Sequence, residues 1–132
     1  MELTPANVQP VVISLAYFLY IFAIAEGIRY IANKCWYRDN ELPLLLNEFA
    51  GCFQVSGMIF ESGYIFVYYG STAYSVSMFL IIFFHCLTVK TAYINPVTYI
   101  ELWKVYWISS SGLIAYISLE IAAGIAAYPA AQ

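Results

Sequence analysis

One stretch, from Phe84 to Val97, limits what this chain can fold into more than any other. An apolar run whose only interruption is His85 closes at Val89, and a segment too short to cross a bilayer opens at Asn95. Asn95-Pro96 is a helix-start pair. An Asn side chain caps free backbone N–H groups, and Pro suits the first helical position, where its missing N–H costs nothing. Glu101 and Lys104 are charges that an isolated span would avoid, so the helix is expected to end near Lys104. Its roughly ten residues at about 1.5 Å each cover about 15 Å, half of a hydrocarbon core about 30 Å thick. A half-helix at membrane depth is tolerated only where it packs in protein or lines a wet cavity. The spacing therefore predicts a pore.

Composition agrees with a membrane setting. Of 132 residues, 63% are hydrophobic and 10% charged, with a mean hydropathy of +0.75. A soluble domain carries about a quarter charged residues. Residues 1–132 read as a single membrane domain whose surroundings are lipid, and a net charge of −3 argues against nucleic acid as a partner. Cys35, Cys52 and Cys86 are odd in number and two fall in apolar runs, so no disulfide framework is expected. One histidine excludes a histidine metal cluster. No zinc spacing, glycine-rich phosphate loop or nucleophile–base pair occurs. The expectation is thus of no enzyme, no catalytic residue, no metal and no cofactor.

The apolar segments predict four spans and the half-helix: 11–28, 44–69, 73–89 and 105–127, with 95–104 between the last two. Ala23-Ile24-Ala25 has the form of a signal-peptidase site, which makes cleavage the competing reading of the first segment. The lack of a positive region ahead of it favours a retained helix. Gly70-Ser71-Thr72 is a link short enough to force an antiparallel hairpin. With these boundaries all five basic residues, Arg29, Lys34, Arg38, Lys90 and Lys104, fall on one side, which the positive-inside rule makes cytoplasmic. Trp36, Tyr37, Trp103 and Trp107 would then lie near that interface, and the half-helix would enter from it.

Asn95 is the sharpest candidate, since its amide can offer hydrogen bonds to a passing molecule at a helix end whose partial positive charge disfavours cations. An Asn-Pro turn at a membrane surface competes with that reading. His85 is read as facing the pore or supporting the loop, against an interfacial histidine bonded to a carbonyl. Glu48 and Glu61 sit at membrane depth, where a carboxylate must be paired or neutral. Glu48, four residues before Cys52 and on its face, could accept hydrogen bonds from the non-helical backbone leading to Asn95, or relay protons. Glu61 is expected to cap or pair near the outer side, and Glu120 to reach its own interface. Ser109, Ser110, Ser111 and Gly112 suggest close helix packing.

These residues together resemble a known family. A half-helix that begins Asn-Pro after a histidine-bearing span looks like the first repeat of an aquaporin, and more narrowly of the unorthodox superaquaporins, aquaporins eleven and twelve. The box reads Asn95-Pro96-Val97, with the variable third residue of that branch, and the approach reads His85-Cys86-Leu87-Thr88. Glu48-Phe49-Ala50-Gly51-Cys52-Phe53-Gln54 is similar to the first pore-helix motif, with Cys52 where Thr is usual, and Glu61 matches an acid of that branch. Residues 11–28 look like its extra N-terminal helix. The resemblance implies that Asn95, Pro96, Val97 and His85 line the path, and that Glu48 and Thr88 support the loop. It also implies passive passage of water or small neutral solutes, glycerol or hydrogen peroxide among them. The setting would be an intracellular membrane such as the endoplasmic reticulum, with the plasma membrane as the other choice, and a homo-oligomer is suggested. The chain departs from the pattern in carrying one Asn-Pro box and no second, inverted repeat, although both are normally needed to close such a pathway. A truncated isoform, a fragment, or a half-channel that needs a second half-repeat would each account for that. The rival class is a non-conducting structural or regulatory partner of full-length channels.

Overall fold

A computed structural model describes residues 5–35, 41–89 and 92–130, and the described residues are all-helical. Four helices follow in order: α1 (Pro5–Cys35), α2 (Leu42–Thr88), α3 (Pro96–Lys104) and α4 (Ser110–Ala130). Three of them, within Pro10–Lys34, Leu42–Thr88 and Ser110–Pro129, are long and apolar enough to cross a membrane. The chain is a multi-pass helical membrane protein.

Helix α2 has 47 residues. Straight, it would measure about 70 Å, more than twice a hydrocarbon core. It is not straight. Gly70 holds φ 81° and ψ −174°, a backbone region open essentially only to glycine, and the chain reverses there. Phe66 meets Tyr74 with ring centroids 5.7 Å apart, the Ser62 hydroxyl reaches the Met78 sulfur at 3.5 Å, and Gln54 donates to Thr88 at 3.4 Å. These contacts step away from Gly70 evenly on both sides, as in an antiparallel hairpin with arms of about 28 and 18 residues. The reversal takes one residue, and helix resumes at once through Ser71 and Thr72.

Helix α1 runs antiparallel to the first arm. Its buried positions Ser14, Ile21, Ala25, Arg29 and Ala32 recur at helical spacing and form one stripe. Ser14 donates to Glu61 at 2.5 Å, Ile21 sits against Gly57, and Arg29 donates to Gln54 at 2.6 Å while pairing with Glu26. Glu61 thus finds its partner inside the bundle. With partners for Arg29 and no helix-stopping residue after Ile28, α1 continues to Cys35. Helix α4 runs parallel to the first arm, with Gly124 opposite Ser56 and Phe60 edge-on to Tyr128 at 5.7 Å. Gly57 and Gly124, with the buried Ala123 and Ala127, let the backbones approach closely.

The last span begins at Ser110, five residues later than its apolar run suggests. Tyr106 takes a φ of 60°, and Ser109 Oγ accepts the Gly112 N–H at 3.1 Å, capping α4. Ser110 accepts from the Trp103 indole at 3.1 Å. The serine patch is therefore a helix start and exposed, not a packing surface. Arg29, Lys34 and Lys104 gather at the end of the bundle where α1 ends and α2 and α4 begin. Arg38 and Lys90, with Trp36 and Tyr37, lie outside the described residues.

Gly70→Ala is expected to destabilise the hairpin by about 1–3 kcal/mol, because alanine is forced into the same backbone region. Gly63→Ala, with nothing near its added Cβ, should be nearly neutral. Thermal unfolding of both variants in detergent checks the pair.

Candidate functional site

Glu48 lies on the buried stripe of the first arm of α2 and is 1% exposed. A carboxylate so enclosed needs donors. The chain between α2 and α3 has the opposite need, since its backbone N–H groups have no helical partners. The two needs meet. Tyr93 N–H donates to Glu48 Oε2 at 3.0 Å, Ile94 N–H to Oε1 at 2.6 Å, and the Tyr99 hydroxyl to Oε2 at 2.5 Å.

The approach that makes these bonds is close. An added Cβ on Gly51 would meet Ile94 Cδ1 at 2.8 Å and Ala92 Cβ at 3.4 Å, so glycine at 51 leaves the space that the loop fills. Ile94 has φ 54°, a genuine outlier for a β-branched residue that costs on the order of 1–3 kcal/mol. Its N–H bond to Glu48 and its side-chain contact with Gly51 hold it there.

Asn95 follows with extended backbone, φ −147° and ψ 112°, and its side-chain oxygen accepts the Val97 N–H at 3.0 Å. Pro96 takes the first helical position. Asn95 is thus a true N-cap, and among the described residues its amide NH₂ has no partner. Three contacts give the course of α3. Ile94 lies level with Gly51, nine residues and about 13 Å along α2 from Leu42. Tyr99 is level with Glu48 and stacks on Tyr116 at 4.3 Å and 9°. Trp103 is level with Ser110, the first residue of α4. The chain descends between the helices as non-helical backbone, and α3 climbs back to the end it came from.

The Tyr99 hydroxyl is the donor in its bond to the Glu48 carboxylate.

The residues singled out from the sequence fall in three places. Asn95, Pro96 and Val97 are exposed, so the face they present is open. His85 is half-buried, with Nδ1 enclosed and without a hydrogen-bond partner. Thr88 bonds within the hairpin, donating to Phe84 O at 3.0 Å and accepting from Gln54. The Gln54 bond ties the two arms together, and among the described residues none of its bonds goes to the loop. A cleft of about 630 Å³, lined by Arg29, Asn33, Asn47 and Thr88 and by the apolar Phe22 and Leu87, opens beside the loop at the basic end.

Sequence reasoning did not single out Tyr99, Tyr116 or the strain at Ile94, and it put Glu120 at an interface. Both Glu120 oxygens are enclosed within the protein and lack hydrogen-bond partners. Ligand atoms of Glu48, Cys52 and Glu120 all lie within 4.8 Å of one another. That separation could surround a cation, but Glu48 already accepts from Tyr93, Ile94 and Tyr99, and at 4.0 Å from the Cys52 thiol. A lone acid in an otherwise apolar helix was a signal for Glu120; among so many aromatic residues nothing marked Tyr99.

No protein-family model, curated protein or solved structure matches the chain.

Tyr99→Phe keeps the ring stack and removes the phenol donor, which should cost about 1.5–3 kcal/mol because the acceptor is a carboxylate. Glu48→Leu strands two buried N–H groups. Amide exchange at Tyr93 and Ile94 should then accelerate by about tenfold or more, as measured by hydrogen–deuterium exchange in micelles; unchanged protection would contradict the assignment.

Proposed function

We propose that this chain forms one wall of a passive channel for water or small neutral solutes, with the resemblance to the first repeat of a superaquaporin naming the class. One observation carries the reading: non-helical backbone is held by Glu48 between membrane-spanning helices and turns back as a short helix capped by Asn95. Irregular backbone at membrane depth occurs where it is packed in protein or lines a wet cavity, and this segment is packed on one side and open on the other. In this reading each arm of α2 crosses the bilayer, α1 and α4 cross once each, and residues 95–104 are the re-entrant half-helix. The free amide of Asn95 offers donors to a solute, and the positive end of the α3 dipole disfavours cations.

Asn95 and Val97 are exposed, and that supports a second wall contributed by another repeat or a further subunit. By the same resemblance the setting is an intracellular membrane. Exposure also gives the second reading its footing: an uncovered face suits a non-conducting partner of full-length channels.

Osmotic swelling of reconstituted vesicles separates the two. Vesicles holding this chain alone should swell at the rate of empty vesicles. A co-reconstituted chain bearing an inverted Asn-Pro repeat should raise the rate. Asn95→Asp keeps the cap, since Asp caps as well as Asn, but sets a carboxylate in the path, and should abolish the increase while the chains still co-purify. An increase that survives Asn95→Asp, or none with any second repeat, contradicts the channel reading. Co-purification without flux favours the partner.

A further inference from the structure

We infer that Glu48 and Glu120 share one proton, carried on Glu120, and that Glu120 is a positioning residue for the loop of residues 92–95. The two carboxylates belong to different helices, α2 and α4, and their oxygens come within 4.8 Å. Glu48 is 1% exposed, and both Glu120 oxygens are enclosed. Two like charges so close in a medium of low dielectric cannot both be ionised unless a cation compensates them. Among the described residues the cations are elsewhere: Arg29 bonds Glu26 and Gln54, Lys34 bonds the Tyr30 hydroxyl at 2.9 Å, and Lys104 is exposed at the end of α3. With no cation beside the pair among the described residues, one proton held between the two carboxylates relieves the repulsion.

Its location follows from the donors. Glu48 accepts from Tyr93, Ile94 and Tyr99, and hydrogen bonds to an ionised carboxylate favour that form. Glu120 receives none. The proton therefore sits on Glu120, whose carboxyl lies within 4.8 Å of Glu48. An ionised carboxylate has about four lone-pair positions. At Glu48 three are taken by Tyr93, Ile94 and Tyr99, and the Cys52 thiol approaches Oε1 at 4.0 Å, so the Glu120 O–H shares that side, where a metal ion would have to displace the loop. The other titratable groups facing the pair are Cys52 on α2, Tyr99 on α3 and Tyr116 on α4, with Tyr93 on the loop and Glu41 ahead of α2 farther out. Glu120 thus supplies a further donor to the carboxylate on which the loop hangs. That this loop belongs to a permeation path rests on the function proposed above; the shared proton does not.

Infrared difference spectroscopy of the reconstituted chain at neutral pH reads the proton directly. Wild type minus Glu120→Gln should show loss of one carboxylic-acid carbonyl band with the carboxylate bands unchanged. Glu48→Gln should shift that band, because its acceptor has changed. Glu120→Gln retains a donor and should keep the slow exchange of the Tyr93 and Ile94 amides, whereas Glu120→Leu should speed it about fivefold to tenfold. Loss of carboxylate bands alone in Glu120→Gln would overturn the inference. So would a stoichiometric metal, found by elemental analysis, that disappears with Glu120. The band is independent of flux, so a failed channel reading would leave it in place.

Discussion

A carboxylate inside a membrane protein and a stretch of backbone without helical partners are each costly alone. Glu48 and residues 93–94 cancel one another's cost. The carboxylate gets donors that do not have to be carried in by a basic side chain, and the backbone gets an acceptor where no water or ladder supplies one. Everything distinctive about the molecule hangs from that exchange. It lets the chain enter the bundle unwound, keeps Ile94 in a backbone conformation it would otherwise leave, and sets Asn95 at the start of a helix pointing back out.

The helices around it create the space. Gly51 gives the loop room against α2, Gly57 lets α1 seat Ile21, and Gly124 brings α4 alongside Ser56. Gly70 does a different job by reversing α2 in one residue, which brings Thr88 back to the level of Gln54 and so delivers the chain to the end where Glu48 waits. Tyr99 then ties α3 to two helices at once, through its hydroxyl to Glu48 on α2 and through its ring to Tyr116 on α4. The polar bonds fix where the loop sits, and the small residues decide that it fits.

Much of this was legible in the residues. Asn95-Pro96 spelled a capped helix start, and the carboxylate at Glu48 posed a question that the unwound approach to Asn95 could answer. The hairpin was written in Gly70, but whether one residue or three would make the turn depends on a backbone angle that sequence does not reveal. Boundaries were less readable. Hydropathy cannot tell Val105–Ser109 from the start of a span, because the break comes from the left-handed Tyr106 and the Ser109 cap. Glu120 was misread because distance along a helix says how deep a side chain lies, but not which neighbour it meets, and Glu120 turned inward to Glu48. Ile94 and Tyr99 carried no signal, one an isoleucine among many and the other one tyrosine of 13.

The exchange between Glu48 and the loop is open to direct observation in a bilayer. Magic-angle-spinning NMR of the isotopically labelled chain in lipid reports through-space correlations from the Glu48 carboxyl carbon. Cross-peaks to the Tyr99 ring carbon that bears the hydroxyl, and to the Ile94 amide nitrogen, are predicted. A Glu48 carboxyl that correlates only with its own helix, while residues 93–99 show contacts with headgroups, would contradict the account.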